Sequence, residues 1–320
     1  MFARRLAQLP LILLTIFVIT FTLSWALPGS AVLNDDRRAP EPEVLAAMEK
    51  QYSLNEPWKF AGKYLYNVSG AHWCAARLGL DNGPPPRHVF DFGPCLRYKD
   101  WSVNELVGSS LPVSMVLGFS AILIALVIGL CAGIVGALRP NSWADFATLS
   151  IALIGISLPG FVVGTLLLLV FPVWLGWGSV GAWGRPADLI LPAVTLSLPF
   201  AAYIARLTRL GMLEVLSSDY VRTARAKGAG VSRVVFRHAL KNAFLPVLSY
   251  LGPAAAYAMT GSFVVEKVFN VPGLGQHFVN AVKNKDLFVI MGVTLIFSTM
   301  LIVFNLIVDV LYRWVDPRIA

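Results

Sequence analysis

Charge is what this sequence has least of. Of its 320 residues only 14% are Asp, Glu, Lys or Arg, where an ordinary soluble domain carries about 25%. With 57% hydrophobic residues and apolar runs of about 20 residues, the deficit excludes a water-soluble globule and places the chain in a bilayer. Cysteine is scarce: Cys74, Cys95 and Cys131 form no zinc-type spacing with histidine. No G-x-x-x-x-G-K-[ST] run occurs, so any nucleotide that drives this protein binds to another subunit. No Asp, Glu, Lys, Arg or His stands near the middle of an apolar run. Carriers coupled to ion gradients usually keep such groups at the midplane, and a membrane-embedded enzyme needs them clustered. Both classes lose ground, and a mechanical energy source gains it. A stand-alone channel or gradient-driven secondary carrier for small solutes is the alternative.

What is present is a set of six apolar runs, at 9–27, 111–138, 146–171, 189–205, 243–265 and 288–311. The first follows Arg4 and Arg5. A cleaved signal peptide ending near Ser24-Trp25-Ala26 is the rival reading, and the length of the run favours a retained anchor helix. Pro112, Pro159, Pro192, Pro199 and Pro253 lie in or beside the runs, which predicts bent helices whose freed backbone groups are satisfied by neighbours. Gly129 and Gly133 form a G-x-x-x-G that permits close helix contact, inside the chain or between copies. Arg139, Arg206, Arg209, Arg222, Arg225, Lys227, Arg233, Arg237, Lys241, Arg313 and Arg318 all fall on one side if the N-terminus is inside. The positive-inside rule then puts both termini in the cytoplasm. The net charge of +8 follows this topology and does not call for nucleic acid.

Between the first two runs lies a long polar segment. Residues 43–51 read as a short amphipathic helix and 57–68 as another, rich in aromatics. Gly83-Pro84-Pro85-Pro86 reads as an irregular or polyproline insertion. Cys74 and Cys95 bracket it, and either a disulfide on an oxidising face or two thiols fits. Trp58, Tyr64, Tyr66, Trp73 and Trp101 suit a membrane interface better than substrate stacking.

The most informative polar stretch is 219–246. Asp219 reads as an N-cap for a helix through Lys227, closed by Gly228 and Gly230, and Ser232 as the cap of a second helix. Two helices on a Gly-Ala-Gly bend form a rigid protrusion. A bare topology signal would need charge, but not caps, a bend and small residues. Ala224, Ala226 and Ala229 let a partner approach closely, while Arg222, Arg225 and Arg233 can reach carboxylates on its rim. His238 packs, faces headgroups or senses pH. Beyond the fifth run, Pro272-Gly273-Leu274-Gly275 reads as an outer turn whose glycines supply unusual backbone angles, structural or gating in role.

At these residues the chain resembles the membrane-spanning permease subunits of ABC importers, in the dipeptide/oligopeptide/nickel branch. The resemblance covers nearly the whole chain: Arg4-Arg5-Leu6, Leu27-Pro28-Gly29, Leu54-Asn55-Glu56-Pro57, Asp91-Phe92-Gly93, Val264-Val265-Glu266 and Asp316-Pro317-Arg318. Its most specific part is Asp219-Tyr220-Val221-Arg222-Thr223-Ala224-Arg225-Ala226-Lys227-Gly228, continued by Arg237-His238-Ala239-Leu240. This is similar to the EAA loop that docks into the ATPase subunit. Arg222 and Lys241 depart from the general consensus, and Ser30 stands where Asp is common.

The resemblance implies an all-α membrane protein of six bent transmembrane helices, with a long external first loop and a cytoplasmic coupling-helix loop. It divides the chain into an N-terminal helix (1–27), an external region with short helices (28–110) and a five-helix core (111–320) containing the coupling loop 213–242. ATPase coupling is expected of Asp219, Tyr220, Arg222, Thr223, Ala224, Arg225, Ala226, Lys227, Gly228, Arg233, Arg237 and His238. An outer structural or gating role is expected of Glu266, Pro272, Gly273 and Gly275. No catalytic residue, cofactor or metal is implied. The implied partners are a second homologous permease subunit, two ABC ATPase subunits, an extracytoplasmic solute-binding protein and membrane lipid, in a bacterial or archaeal cytoplasmic membrane.

Overall fold

A computed structural model describes residues 2–28, 42–80, 86–97 and 100–315. Ser30, most of the proline insertion and Asp316-Pro317-Arg318 lie outside the described residues. The described chain is helical, and its sole strand-like feature is an isolated bridge between Pro94 and Ser102. It forms two compact units, Met1–Pro112 with Gly273–Thr299 and Val113–Pro272 with Met300–Ala320.

The first unit begins with α1 (Phe2–Ala26), α2 (Pro42–Tyr52), α3 (Pro57–Val68) and α4 (Ala71–Arg77). The two amphipathic helices expected of this region are α2 and α3, the latter opened by Pro57, where a missing N–H costs nothing. Phe17, Phe21 and Trp25 form one face of α1 and meet Phe60 and Tyr64 of α3, which in turn pack on Phe288. Leu11, Leu14, Ile19 and Leu23, on the rest of α1, are exposed, as a lipid-facing surface would be. The Asp91-Phe92-Gly93 turn is tied down twice: Asp91 accepts from the Gly93 N–H, and Asn104 accepts from Phe92 N–H while donating to Phe90 O.

The second unit holds most of α5 (Val103–Leu138), then α6 (Trp143–Ser157), α7 (Gly160–Leu168) with a π-helical end at Leu169–Trp174, and α8 (Pro186–Leu216). Next come α9 (Asp219–Ala226), α10 (Val231–Arg233), a π-helical turn Val234–Ala239, α11 (Leu240–Ala243), α12 (Leu245–Met259) and α13 (Phe263–Phe269). α14 (Leu274–Lys283) belongs to the first unit, and α15 (Leu287–Val315) runs through both. α5 is nearly all apolar, and small residues let its neighbours approach. A Cβ on Gly133 would lie 2.6 Å from Ala205 O, and one on Gly129 2.8 Å from Ala201 O. The G-x-x-x-G is therefore filled by α8 of the same chain, as internal packing requires.

Four described helices are long and apolar enough to cross a bilayer: Gln8–Ala26, Val103–Leu138, Pro186–Leu216 and Leu287–Leu311. α6 and α7 make a fifth if counted together; they bend by 102° at Leu158-Pro159. The run 243–265 does not form one long helix. α12 has 15 residues, a length of about 22 Å against the ~30 Å hydrocarbon core. Gly261, at φ +98°, then turns the chain before Ser262 caps α13. Hydropathy is blind to this break because both sides of it are apolar.

Candidate functional site

The polar stretch after α8 is a packed elbow. α8 ends at Leu216, and Ser218, in extended geometry, is the N-cap of α9. Asp219 is thus the first helical residue and not the cap. Its carboxylate is in the first turn, where the helix dipole favours it, 3.4 Å from the Arg222 guanidinium. Gly228 closes α9 at φ +83°, with Gly228 N–H donating to Arg225 O and Ala229 N–H to Ala224 O. A residue with a side chain would be strained there. The second arm starts from Gly230 as N-cap, so Ser232 lies within its first turn and caps nothing.

One face of this elbow is buried. Val221, Val234, Val235 and Ala239 are 0–2% exposed, and Val235, Ala239 and Ala243 join Met212 of α8 and Ala137 of α5 in one cluster. Tyr220 links the arms: its hydroxyl accepts from Asn242 Nδ2 at 2.9 Å and donates to His238 O at 3.4 Å. The other face is open. Arg222, Thr223, Arg225, Ala226, Lys227, Arg233, Arg237 and Lys241 are exposed, and Ala224 and His238 are half-buried. Val231 and Phe236 are also exposed, at 68% and 67%, and they line a cavity of about 730 Å³ with Gly228, Gly230, Ser232, Arg233 and Arg237. An apolar centre rimmed by arginines is the make-up of a protein-docking surface. Charge and caps alone do not point to Val231 and Phe236; large apolar residues within a basic stretch are the signal that could have found them.

The remaining candidates are elsewhere. Glu266, on α13, is wholly buried and accepts from Ser114 Oγ of α5 at 2.8 Å. Val271 N–H closes that helix onto Glu266 O. Pro272 is exposed, while Gly273 and Gly275 are buried. Gly273 is the N-cap of α14 in ordinary extended geometry, and Gly275 lies within that helix. Neither has a positive φ, so unusual backbone angles are not the reason for these glycines.

Neither Cys74 nor Cys95 is in a disulfide in the structure; the first is exposed on α4 and the second buried. Cys95 Sγ donates instead to Asp286 at 3.4 Å. Asp286 also accepts from the backbone N–H groups of Leu96 and Val289. Burial pushes its carboxyl above the usual aspartate value, and those donors pull the other way. Among the described residues no group of three or more His, Cys, Asp or Glu is placed to hold a metal.

One polar pair has no counterpart in the sequence patterns. Asp145, 2% exposed near the start of α6, takes two bonds from Arg209 of α8: Nε to Oδ1 at 2.6 Å and Nη2 to Oδ2 at 2.7 Å. In the sequence Arg209 reads only as a topology charge. The pairing spans 64 positions, a separation over which sequence spacing carries no signal.

Bent apolar helices and a packed polar elbow define a class: a multi-pass helical membrane protein. Residues 109–320 match the family described as "Binding-protein-dependent transport system inner membrane component". The oligopeptide transport system permease protein OppB of Haemophilus influenzae is 41% identical, over 99% of this chain and 98% of its own. The OppB of Salmonella typhimurium is 43% identical over 99% and 97%, and the dipeptide transport system permease protein DppB of Bacillus subtilis 39% over 96% and 93%. An inward-facing structure of the MetNI methionine ABC transporter has the same fold, with TM-score 0.53 at 20% identity over 67% of this chain and 97% of that one. The chain belongs to the family of binding-protein-dependent transport system inner membrane components. It is a permease, a transport component and not an enzyme.

Proposed function

We propose that this chain forms one half of the translocation path of an ATP-driven importer of short peptides, and that the elbow at 219–243 is where the ATPase subunit pushes. Peptide cargo is inferred from the names of the relatives, which align with this chain end to end. Six spans are proposed, with α6–α7 as one and α12–α13 as a broken one. The positive-inside distribution of Lys and Arg then puts the elbow and both termini in the cytoplasm, and residues 28–110 outside. Residues 111–320 act as the permease core. A second homologous permease supplies the other half of the path, two ATPase subunits bind from inside, and a solute-binding protein delivers cargo from outside.

The observation that carries this reading is the two-sided elbow. Its buried face is fused to α5 and α8, so force applied outside is not absorbed by a loose loop. Its open face offers Val231 and Phe236 beside Arg233 and Arg237, with Arg222 and Arg225 exposed on α9. The permease performs no chemistry; it turns a cytoplasmic rigid-body motion into alternating access. Glu266, Pro272, Gly273 and Gly275 shape the outer end. Reversing Arg222 and Arg225 to Glu together is expected to reduce ATPase co-purification and uptake while leaving membrane insertion intact. Undiminished uptake by that double variant would count against the docking assignment, and full-rate transport by purified chain alone would favour the channel or carrier.

A further inference from the structure

The Asp145–Arg209 pair, with Asp145 buried and Arg209 partly exposed, has no part in the proposed function, yet its surroundings are unusually complete. Both carboxylate oxygens are used: Oδ1 by Arg209 Nε, and Oδ2 by Arg209 Nη2 and by Asn141 N–H at 2.9 Å. Ser142 caps the same helix end by accepting from Asp145 N–H. A third helix closes over the pair. A Cβ on Gly136 of α5 would lie 3.0 Å from Asp145 Oδ1, 3.2 Å from Thr148 Oγ1 and 3.4 Å from Arg209 Cδ. A two-pronged guanidinium–carboxylate contact fixes both distance and orientation. Removing the guanidinium strands the buried Asp145 carboxylate.

The rest of the α6–α8 seam has no such device among the described contacts. Near the far end of α6, a Cβ on Gly155 would lie 3.5 Å from Leu198 O and 3.7 Å from Ala202 Cβ, ordinary contact distances that leave the two helices close but not interlocked. Contacts of small apolar groups hold helices together but oppose sliding weakly. α8 leads within two residues, Ser217 and Ser218, into the elbow helix α9, and α6 leads into the 102° bend before α7.

We infer that Asp145 and Arg209 are positioning residues: a register clamp that makes α6 and α8 one lever, so that displacement of the elbow reaches the α6–α7 bend. The clamp rests on the proposed role of the elbow. It touches neither cargo nor nucleotide. Its loss should let α8 respond to the ATPase while α6 lags, so that ATP is hydrolysed with less solute moved.

The test uses the full transporter, reconstituted with its ATPases and binding protein, and measures solute imported per ATP hydrolysed alongside ATPase co-purification and thermal midpoint. Two variants separate register from charge and folding: Arg209→Lys, which keeps the charge and loses the fork, and the apolar double variant Asp145→Leu with Arg209→Met, which leaves no charge buried. Both are expected to retain ATPase subunits and to lose solute per ATP by roughly 2- to 30-fold, the range of coupling effects from single contacts. An unchanged ratio in a folded variant refutes the clamp. So does a ratio that falls only together with ATPase co-purification, because the pair would then serve the dock and not the lever. Failure of Arg209→Lys to fold assigns the pair to stability alone and overturns the proposal; failure of only the double variant leaves the decision to Arg209→Lys. Absence of ATPase from the unaltered transporter would instead refute the elbow reading.

Discussion

Replacing Gly118 by Ala should weaken this protein although Ala is the better helix former. A Cβ at that position would lie 2.3 Å from Ala258 O, 2.4 Å from Ala258 C and 2.6 Å from Met259 Cα, all backbone atoms of α12. No side chain can swing aside. Ordinary contact begins near 3.4 Å, so α5 and α12 must part by about 1 Å, a gap that forfeits a quarter to a half of each dispersion contact beside it. Leu117, Ala121 and Ala125 of α5 and Ala254 of α12 are buried in one cluster, which such a gap would loosen. Overpacking of this kind costs about 1–3 kcal/mol, while the helix-propensity gain returns at most about 1 kcal/mol. Gly108, on the same helix, is the control, since a Cβ there would meet nothing within 4 Å. Gly108→Ala should be neutral or stabilising by up to about 1 kcal/mol; the propensity gain is common to both variants, so they should differ by the overpacking cost of about 1–3 kcal/mol. The assay is thermal unfolding of the detergent-purified chain by intrinsic tryptophan fluorescence, for which nine Trp residues are available. Equal midpoints for the two variants would refute the close approach of α5 and α12.

Other outcomes are as concrete. Glu266→Ala leaves the fully buried Ser114 hydroxyl without that acceptor and should cost about 1–3 kcal/mol; Glu266→Gln keeps a carbonyl oxygen there and should cost less, so equal thermal midpoints would contradict the contact. In a Cys131→Ser background a maleimide should label Cys74 in the native chain and Cys95 only after unfolding, given their exposure; equal native rates would place Cys95 wrongly. Burial, and then the charge of Arg97, hold the His277 imidazole below its usual value. The unfolded chain therefore takes up the proton first as pH falls. The stability contribution is present above the unfolded value, about 6.5, and is lost as pH falls through the folded value. His277→Gln should flatten the fall in thermal midpoint below about pH 6.5, and an unchanged slope would assign that fall to other groups.

Local patterns are legible wherever their cause is local. The length of an apolar run decides whether a helix can cross a bilayer, and α1, α5, α8 and α15 stand where the runs predict them. A glycine at positive φ ends a helix whatever surrounds it, so the bend at Gly228 can be read directly. The caps at Ser218 and Gly230 fall a residue or more from the expected Asp219 and Ser232, because several polar or small residues in a row can each serve and packing chooses among them. The break between α12 and α13 is invisible for a different reason: both sides are apolar, and a count of hydropathy cannot see a turn.

Residue order was thus enough to put this chain in a membrane and to give it a basic elbow, since composition and turn chemistry act over a few residues. Which groups meet across long separations emerged with the packed fold alone: Asp145 with Arg209, Ser114 with Glu266, Cys95 with Asp286 and not Cys74. A helix that is apolar all round has no preferred inward face to read. Its rotation and register are fixed by what packs against it, and those settings decide which polar atoms find partners.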